Sequence, residues 1–202
     1  SGFGEYRMYY PYPERWFPMS MYSDHWLPGA GELNQNLRNF EGERLVLFDE
    51  EKVYDQIIAD GRFPEFSNTF LIVAGPERTD LPVYVKYSND RAKEFMIRTD
   101  ILKTEDGCQV RKVPVSQEAK AHVTAMKHWE EVLGTQYAAA CVKVNHCELK
   151  EDAAYFEFLS GHTLEERLDD LRAQKEYGKL AEALQEYKKL LLECLQQELQ
   201  PF

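Results

Sequence analysis

The run "LPVYVKYSN", residues 81–89, sets one lysine, Lys86, among Val83, Tyr84, Val85 and Tyr87. A β-branched and aromatic run of this length predicts a strand. A strand lysine can be a solvated surface charge. It can also offer its ammonium to a phosphate, because a charged donor on a rigid element binds an anionic oxygen more strongly than a neutral one. The other reactive side chains form no comparable set. His122 and His128 stand six apart on an expected helix, a spacing that does not share a face, and His25, His146 and His162 share no spacing. Cys108, Cys141, Cys147 and Cys194 lack a CxxC pair, which argues against a zinc site and against a disulfide framework. Cys141 and Cys147 read as reduced, half-buried thiols in preference to a pair. Asp169 and Asp170 read as a solvated helix face.

Positioning Lys86 requires a sheet. "NTFLIVAG" and "LPVYVKYSN" read as two strands, and "EFMIRTDILK" and "CQVRKVPV" as two more joined by "TEDG", whose Asp-Gly pair is a hairpin signal. Before them, "GERLVLF" predicts a strand over Arg44 to Phe48. It is followed by a helix with Asp49 as N-cap and Gly61 as its stop. After them, Ser116 caps a helix through "QEAKAHVTAMKHWEEVLG", ended by Gly134. "AAACVKVNHCEL" and "AAYFEFLSG" read as strands joined by "KED". The remainder is helical. Thr163 and Glu166 have capping-box spacing, and Leu180, Leu184, Tyr187, Leu191 and Leu195 form one stripe. Residues 1–35 are rich in aromatics and prolines. "EYRMYY" alternates as a short strand would, and Pro11, Pro13, Pro18 and Pro28 predict an irregular arm beyond it. The expected fold is α+β: an antiparallel sheet of about five strands with one packed helix, plus a helical carboxyl-terminal extension.

The bulk numbers restrict function. The 202 residues suffice for one large domain or a domain with an appendage, and 44% hydrophobic content supports a folded core. A net charge of -11 opposes nucleic-acid binding, and "QVRKVPV", the densest basic stretch, is too thin to reverse that. The apolar runs are too short to span a bilayer, so a cytoplasmic protein with no transmembrane segment is expected. Ser1 stands where a start methionine would, and "LQQELQPF" follows directly on a long helix. The chain therefore reads as a piece of a larger polypeptide.

The order of strands, one helix, two strands and then helices resembles the amino-terminal lobe of the protein-kinase-like fold. It is closest to the variant of aminoglycoside phosphotransferases and bacterial lipopolysaccharide kinases. In that family a strand lysine holds the ATP phosphates and pairs with a glutamate on the following helix. The resemblance gives the lysine's part to Lys86 and the glutamate's to Glu118 in "VSQEAKAHV", with Glu130 as second candidate. A carboxylate within ion-pair range would keep such an ammonium charged and aimed. The phosphate-covering turn corresponds to "GRFPEFSNTFLIV", where Ser67 and Asn68 would supply the donors and Gly61 stands in place of a GxGxxG. "YFEFLSGHTLEERL" resembles the hinge, so Glu157, Phe158 and Leu159 would touch adenine. The implied cofactor is ATP with Mg in the full-length parent. No His-x-Asp-x4-Asn or Asp-Phe-Gly follows residue 161, so these residues supply no catalytic base and no metal ligand.

"GFGEYRMYYPYPERWFP" is similar to the closing strand of class I S-adenosylmethionine methyltransferases. The expected organisation is therefore an arm over 1–43 that ends a preceding methyltransferase-like domain, a kinase-like lobe over 44–161, and a helical extension over 162–202. The resemblance implies the nucleotide-binding lobe of a bacterial cell-surface polysaccharide biosynthesis enzyme. Phosphoryl transfer to a sugar or glycan end would belong to the parent. The alternative is a non-catalytic scaffold attached to a methyltransferase or glycosyltransferase. Expected partners are neighbouring domains of the parent, and a homodimer through residues 180–195.

Overall fold

The computed structural model describes residues 5–33, 50–75, 81–137 and 143–195. Among the described residues one antiparallel sheet holds eight strands: β1 (Glu5–Tyr12), β2 (Ser20–Ser23), β3 (Leu71–Gly75), β4 (Pro82–Tyr87), β5 (Ile97–Thr104), β6 (Gly107–Pro114), β7 (Cys147–Lys150) and β8 (Ala153–Glu157). Their spatial order is β3-β1-β2-β4-β5-β6-β8-β7. Four helices accompany them among the described residues: α1 (Glu50–Ala59), α2 (Lys120–Gln136), α3 (Leu164–Ala173) and α4 (Tyr177–Leu195). The fold remains α+β, but the expectation of about five strands and one helix is overturned. The difference lies mainly in residues 5–23. Expected to be an irregular arm after "EYRMYY", they form two inner strands. Proline does not prevent this. Pro11 lies beyond the β3 pairing, which runs from Glu5 to Tyr9, so only β2 flanks it. A proline is tolerated there because one side of the strand donates no ladder bond.

Side-chain alternation sorts the sheet into two faces. One face carries both hydrophobic clusters. At one end Tyr10, Tyr12 and Tyr22 pack with Leu33, Phe63, Tyr54 and Ile58, the last two from α1. At the other, Ile97, Cys147, Ala154 and Phe156 pack with Val123 and Met126 of α2. The opposite face is mixed, with buried Val85 standing directly opposite buried Asp100. There Asp100, fully buried, is bound by Arg98 and Arg111.

Local signals match the element ends. The Gly61 N–H donates to Ile58 O and the Arg62 N–H to Ile57 O, a Schellman closure with Gly61 at φ +69°. The β5–β6 hairpin turns at Gly107, φ +132°. Thr163 Oγ1 accepts from the Glu166 N–H at 3.2 Å, and the Thr163 N–H donates to the Glu166 carboxylate at 2.6 Å, completing the capping box of α3. Gly134 does not end α2, which runs to Gln136. The expected strand over Arg44–Phe48 and the Asp49 cap lie outside the described residues, as does Cys141. Cys147 is a buried free thiol. The leucine stripe of α4 is largely uncovered, with Leu184, Tyr187, Leu191 and Leu195 exposed, and the one buried residue of the helix is Ala183, beside the stripe.

Candidate functional site

Lys86 projects from the helix-bearing face of β4. It stands opposite Ser20 on one side and Thr99 on the other, exposed to solvent. Glu118 is not its partner. The Glu118 carboxyl is exposed, and its own backbone N–H and the Ser116 hydroxyl hold it below the usual range, with Lys93 adding its charge. No ion pair reaches Lys86 among the described residues. Ser67 and Asn68 are also elsewhere. They lead into β3, three strands from β4 across the sheet. Ser67 Oγ donates to Thr69 O at 2.9 Å and Asn68 Nδ2 to Pro13 O at 3.1 Å, so their polar groups tie loops together. Among the hinge residues, Glu157 and Leu159 are exposed. The Glu157 carbonyl accepts from Asn145 Nδ2 at 2.9 Å. Phe158 turns inward, its ring meeting Trp26 edge-on at 5.5 Å.

A different lysine occupies the guarded position. Thr99 stands opposite Lys112 on β6, and Lys112 opposite Ala154 on β8. Ser20, Lys86, Thr99 and Lys112 therefore make one polar row across β2, β4, β5 and β6 on the helix-bearing face. Two strand spacings separate the lysine backbones, roughly 10 Å, which long side chains can close over Thr99. The neighbouring row on this face is apolar: Tyr84, Ile101, Val110, Phe156 and Cys147 stand opposite one another in turn. Trp26 stacks on Tyr84 at 6.1 Å and completes an aromatic wall with Phe158.

Lys112 is half-buried, with its ammonium 5.5 Å from the centre of the Phe156 ring. Burial, then the nearby Arg91 charge, pulls its pKa below the usual lysine value. His122 on α2 is held below its usual value by burial, then by Arg91 and Lys112. No carboxylate lies within ion-pair distance of Arg91, Lys112 or His122 among the described residues. Glu130, the second glutamate candidate, is engaged by Lys127 at 2.5 Å and His146 at 3.4 Å. The buried Cys147 thiol, raised chiefly by desolvation, feels the charges of Lys127, Glu130 and Lys112 alike. No group of His, Cys, Asp and Glu among the described residues could hold a metal ion, and no described helix is long and apolar enough to cross a membrane.

Hydrophobic context alone favours Lys86, because "VYVKY" is the more apolar run. Lys112 was legible through a different signal. In "CQVRKVPV" alternation puts Val110, Lys112 and Pro114 on one face, and this strand is the one that leads directly into the helix. What carries the site is adjacency in the sheet, which hydrophobicity alone does not rank. Comparison with protein-family models, with curated proteins and with solved structures yields no match to this chain.

Proposed function

We propose that this chain is the nucleotide-binding lobe of a kinase-like module, with Lys112 as the lysine that holds phosphate. One observation carries the reading. Lys112 is a half-buried ammonium with no carboxylate partner among the described residues, on the strand that precedes α2, and it faces the same side as that helix. Charges are rarely buried without compensation unless a ligand supplies it. The element order supports the same reading. β4, β5 and β6 form a meander, α2 follows, and the β7–β8 hairpin returns with β8 beside β6. A lysine on the third strand with a helix after it is the kinase arrangement. The residues around Glu157 to Leu159 then leave β8 next to the Tyr84–Trp26 aromatic wall, where a planar base can stack. In a parent protein carrying the remaining lobe, the acceptor would be a sugar or glycan end, as the resemblance implies.

The test is titration of Mg-ATP into the wild type, Lys112→Met and Lys86→Gln. A charged hydrogen bond to phosphate contributes about 1.5–3 kcal/mol, so Lys112→Met is expected to weaken binding by about 10- to 100-fold. Lys86→Gln, exposed and able to reach the phosphate only from the rim, is expected to cost less than threefold on that same scale, about 0.5 kcal/mol. Thermal unfolding provides the control. Removing a desolvated charge beside Arg91 relieves repulsion, so Lys112→Met should be at least as stable as the wild type. Equal affinity in all three proteins would contradict the assignment of Lys112. Failure of the wild type to bind ATP would favour the scaffold reading, to which the uncovered stripe of α4 lends its own support.

A further inference from the structure

The two edges of the sheet differ in kind. β7 bounds one side. It is short, and its Glu148 and Lys150 are both exposed and ion-paired to each other at 2.9 Å. Shortness and charge are how natural sheets keep an edge from pairing with another chain. β3 bounds the other side, and among the described residues it pairs with β1 alone. From Phe70 to Gly75 there is no charge and no proline, and the pairing with β1 runs through five consecutive residues without a bulge. None of the usual blunting devices is present along this edge. Apolar side chains flank it on both faces. On the helix-bearing face Ile72 is 57% exposed, and Tyr6, opposite Ala74 on β1, is 68% exposed. Phe70 is exposed there too, although its ring meets Tyr10 edge-on at 5.8 Å. On the other face Leu71 is exposed.

We propose that β3 pairs with β3 of a second copy of this chain, across a two-fold axis at Val73, so that one antiparallel sheet runs through both copies. This is independent of the nucleotide reading. An open edge takes another strand, because its outward N–H and C=O groups are matched only by extended backbone. The sequence is self-complementary in that arrangement. Antiparallel pairing about Val73 sets Val73 on its copy, Ile72 opposite Ala74 and Leu71 opposite Gly75, so each large side chain meets a small one. On the helix-bearing face only the partner's Ala74 then separates Ile72 from the partner's Tyr6, and the phenol ring can close over the alanine. Charge selects the same place. A chain of net charge -11 repels a second copy, and the uncharged edge is where approach costs least. Arg7, opposite Val73 on β1, is already engaged with Leu81 O at 2.6 Å. A two-fold contact uses the same edge on both copies, and β7 is blunted, so assembly stops at two. Two short strands and their flanking side chains cover less than the roughly 800 Å² per partner of a standard interface. The dimer is accordingly weak, with an expected Kd of about 10–100 μM.

The experiment is analytical ultracentrifugation of the full chain, of Ile72→Lys and of Leu191→Lys, at concentrations spanning about 1 μM to 1 mM around the expected Kd. Both substituted side chains are exposed, one on the β3 edge and one on the α4 stripe. Amide hydrogen exchange over Leu71–Gly75 in the wild type, at both ends of that range, reads the contact without any substitution. The expected result is a monomer–dimer equilibrium that Ile72→Lys weakens at least about tenfold, since a lysine on an edge strand opposes pairing, and that Leu191→Lys leaves unchanged. The β3 amides should exchange more slowly at the high concentration. A monomer throughout the range overturns the proposal. So does a dimer that Ile72→Lys retains, whatever Leu191→Lys does to it, and so does growth beyond two copies. Exchange of the β3 amides that is equally slow at every concentration also overturns it, because the edge would then be covered within a single chain.

Discussion

Replacing Asp100 with alanine is expected to destabilise the protein by about 3–5 kcal/mol, the cost of breaking a buried ion pair from one side. Asp100 has no solvent exposure. Its two carboxylate oxygens accept from Arg98 Nε at 2.8 Å, Arg98 Nη2 at 3.0 Å and Arg111 Nε at 2.9 Å, and Arg111 Nη2 lies 2.7 Å away. The arginines come from adjacent strands, so the cluster clamps β5 to β6 at a directly opposed pair. Arg111 is 18% exposed and Arg98 36%. Removing the carboxylate leaves two neighbouring guanidinium groups with no counter-ion, and the more buried Arg111 suffers most. Asp100→Asn keeps the shape and one acceptor, and is expected to cost somewhat less. The measurement is the urea midpoint at constant slope. A loss below 1 kcal/mol in Asp100→Ala would mean that water or another group replaces the carboxylate.

The second large effect is at Tyr22. Tyr22→Ala is expected to cost about 3–5 kcal/mol, as truncation of a large buried aromatic does. The ring is 1% exposed, 5.1 Å from Tyr84 and 5.4 Å from Phe63. It links β2, β4 and the turn at Phe63–Phe66 beside α1, so the cavity would open where three elements meet. Burial pushes its phenol well above the ordinary tyrosine range. Tyr22→Phe removes only the hydroxyl and is expected to cost about 1 kcal/mol. Were Tyr22→Ala to unfold at the wild-type midpoint, the amino-terminal strands would be dispensable to the core.

That core marks the limit of what sequence patterning disclosed. The hairpin at "TEDG", the Gly61 stop and the Thr163 capping box are local devices. Their residue types act within a few positions, and each was legible. The role of residues 5–23 was not. Tyr9, Tyr10 and Tyr12 are buried and consecutive enough to obscure a two-residue alternation, because both faces of this strand are covered. Prolines at 11 and 13 suggested an arm, and only the pairing of β1 with β2 explains why Pro11 is tolerated. The site followed the same division. Phe158, given by the hinge resemblance a place against adenine, packs edge-on against Trp26. Ser67 and Asn68 fell on the far side of the sheet, because the chain order of strands is not their spatial order. Lys86 and Lys112 both belong to the polar row. Which of them is guarded depends on α2, a contact that no period in the sequence records.

The most direct test of the account is a Mg-ATP titration followed by backbone amide chemical shifts across the chain. The account predicts saturable shifts in two stretches that are separate in sequence: residues 109–113 and Glu157 to Leu159. The segment β3 and the Ser67–Asn68 turn should stay still. Shifts centred on Ser67 and Asn68, or none at all at millimolar ATP, would contradict it.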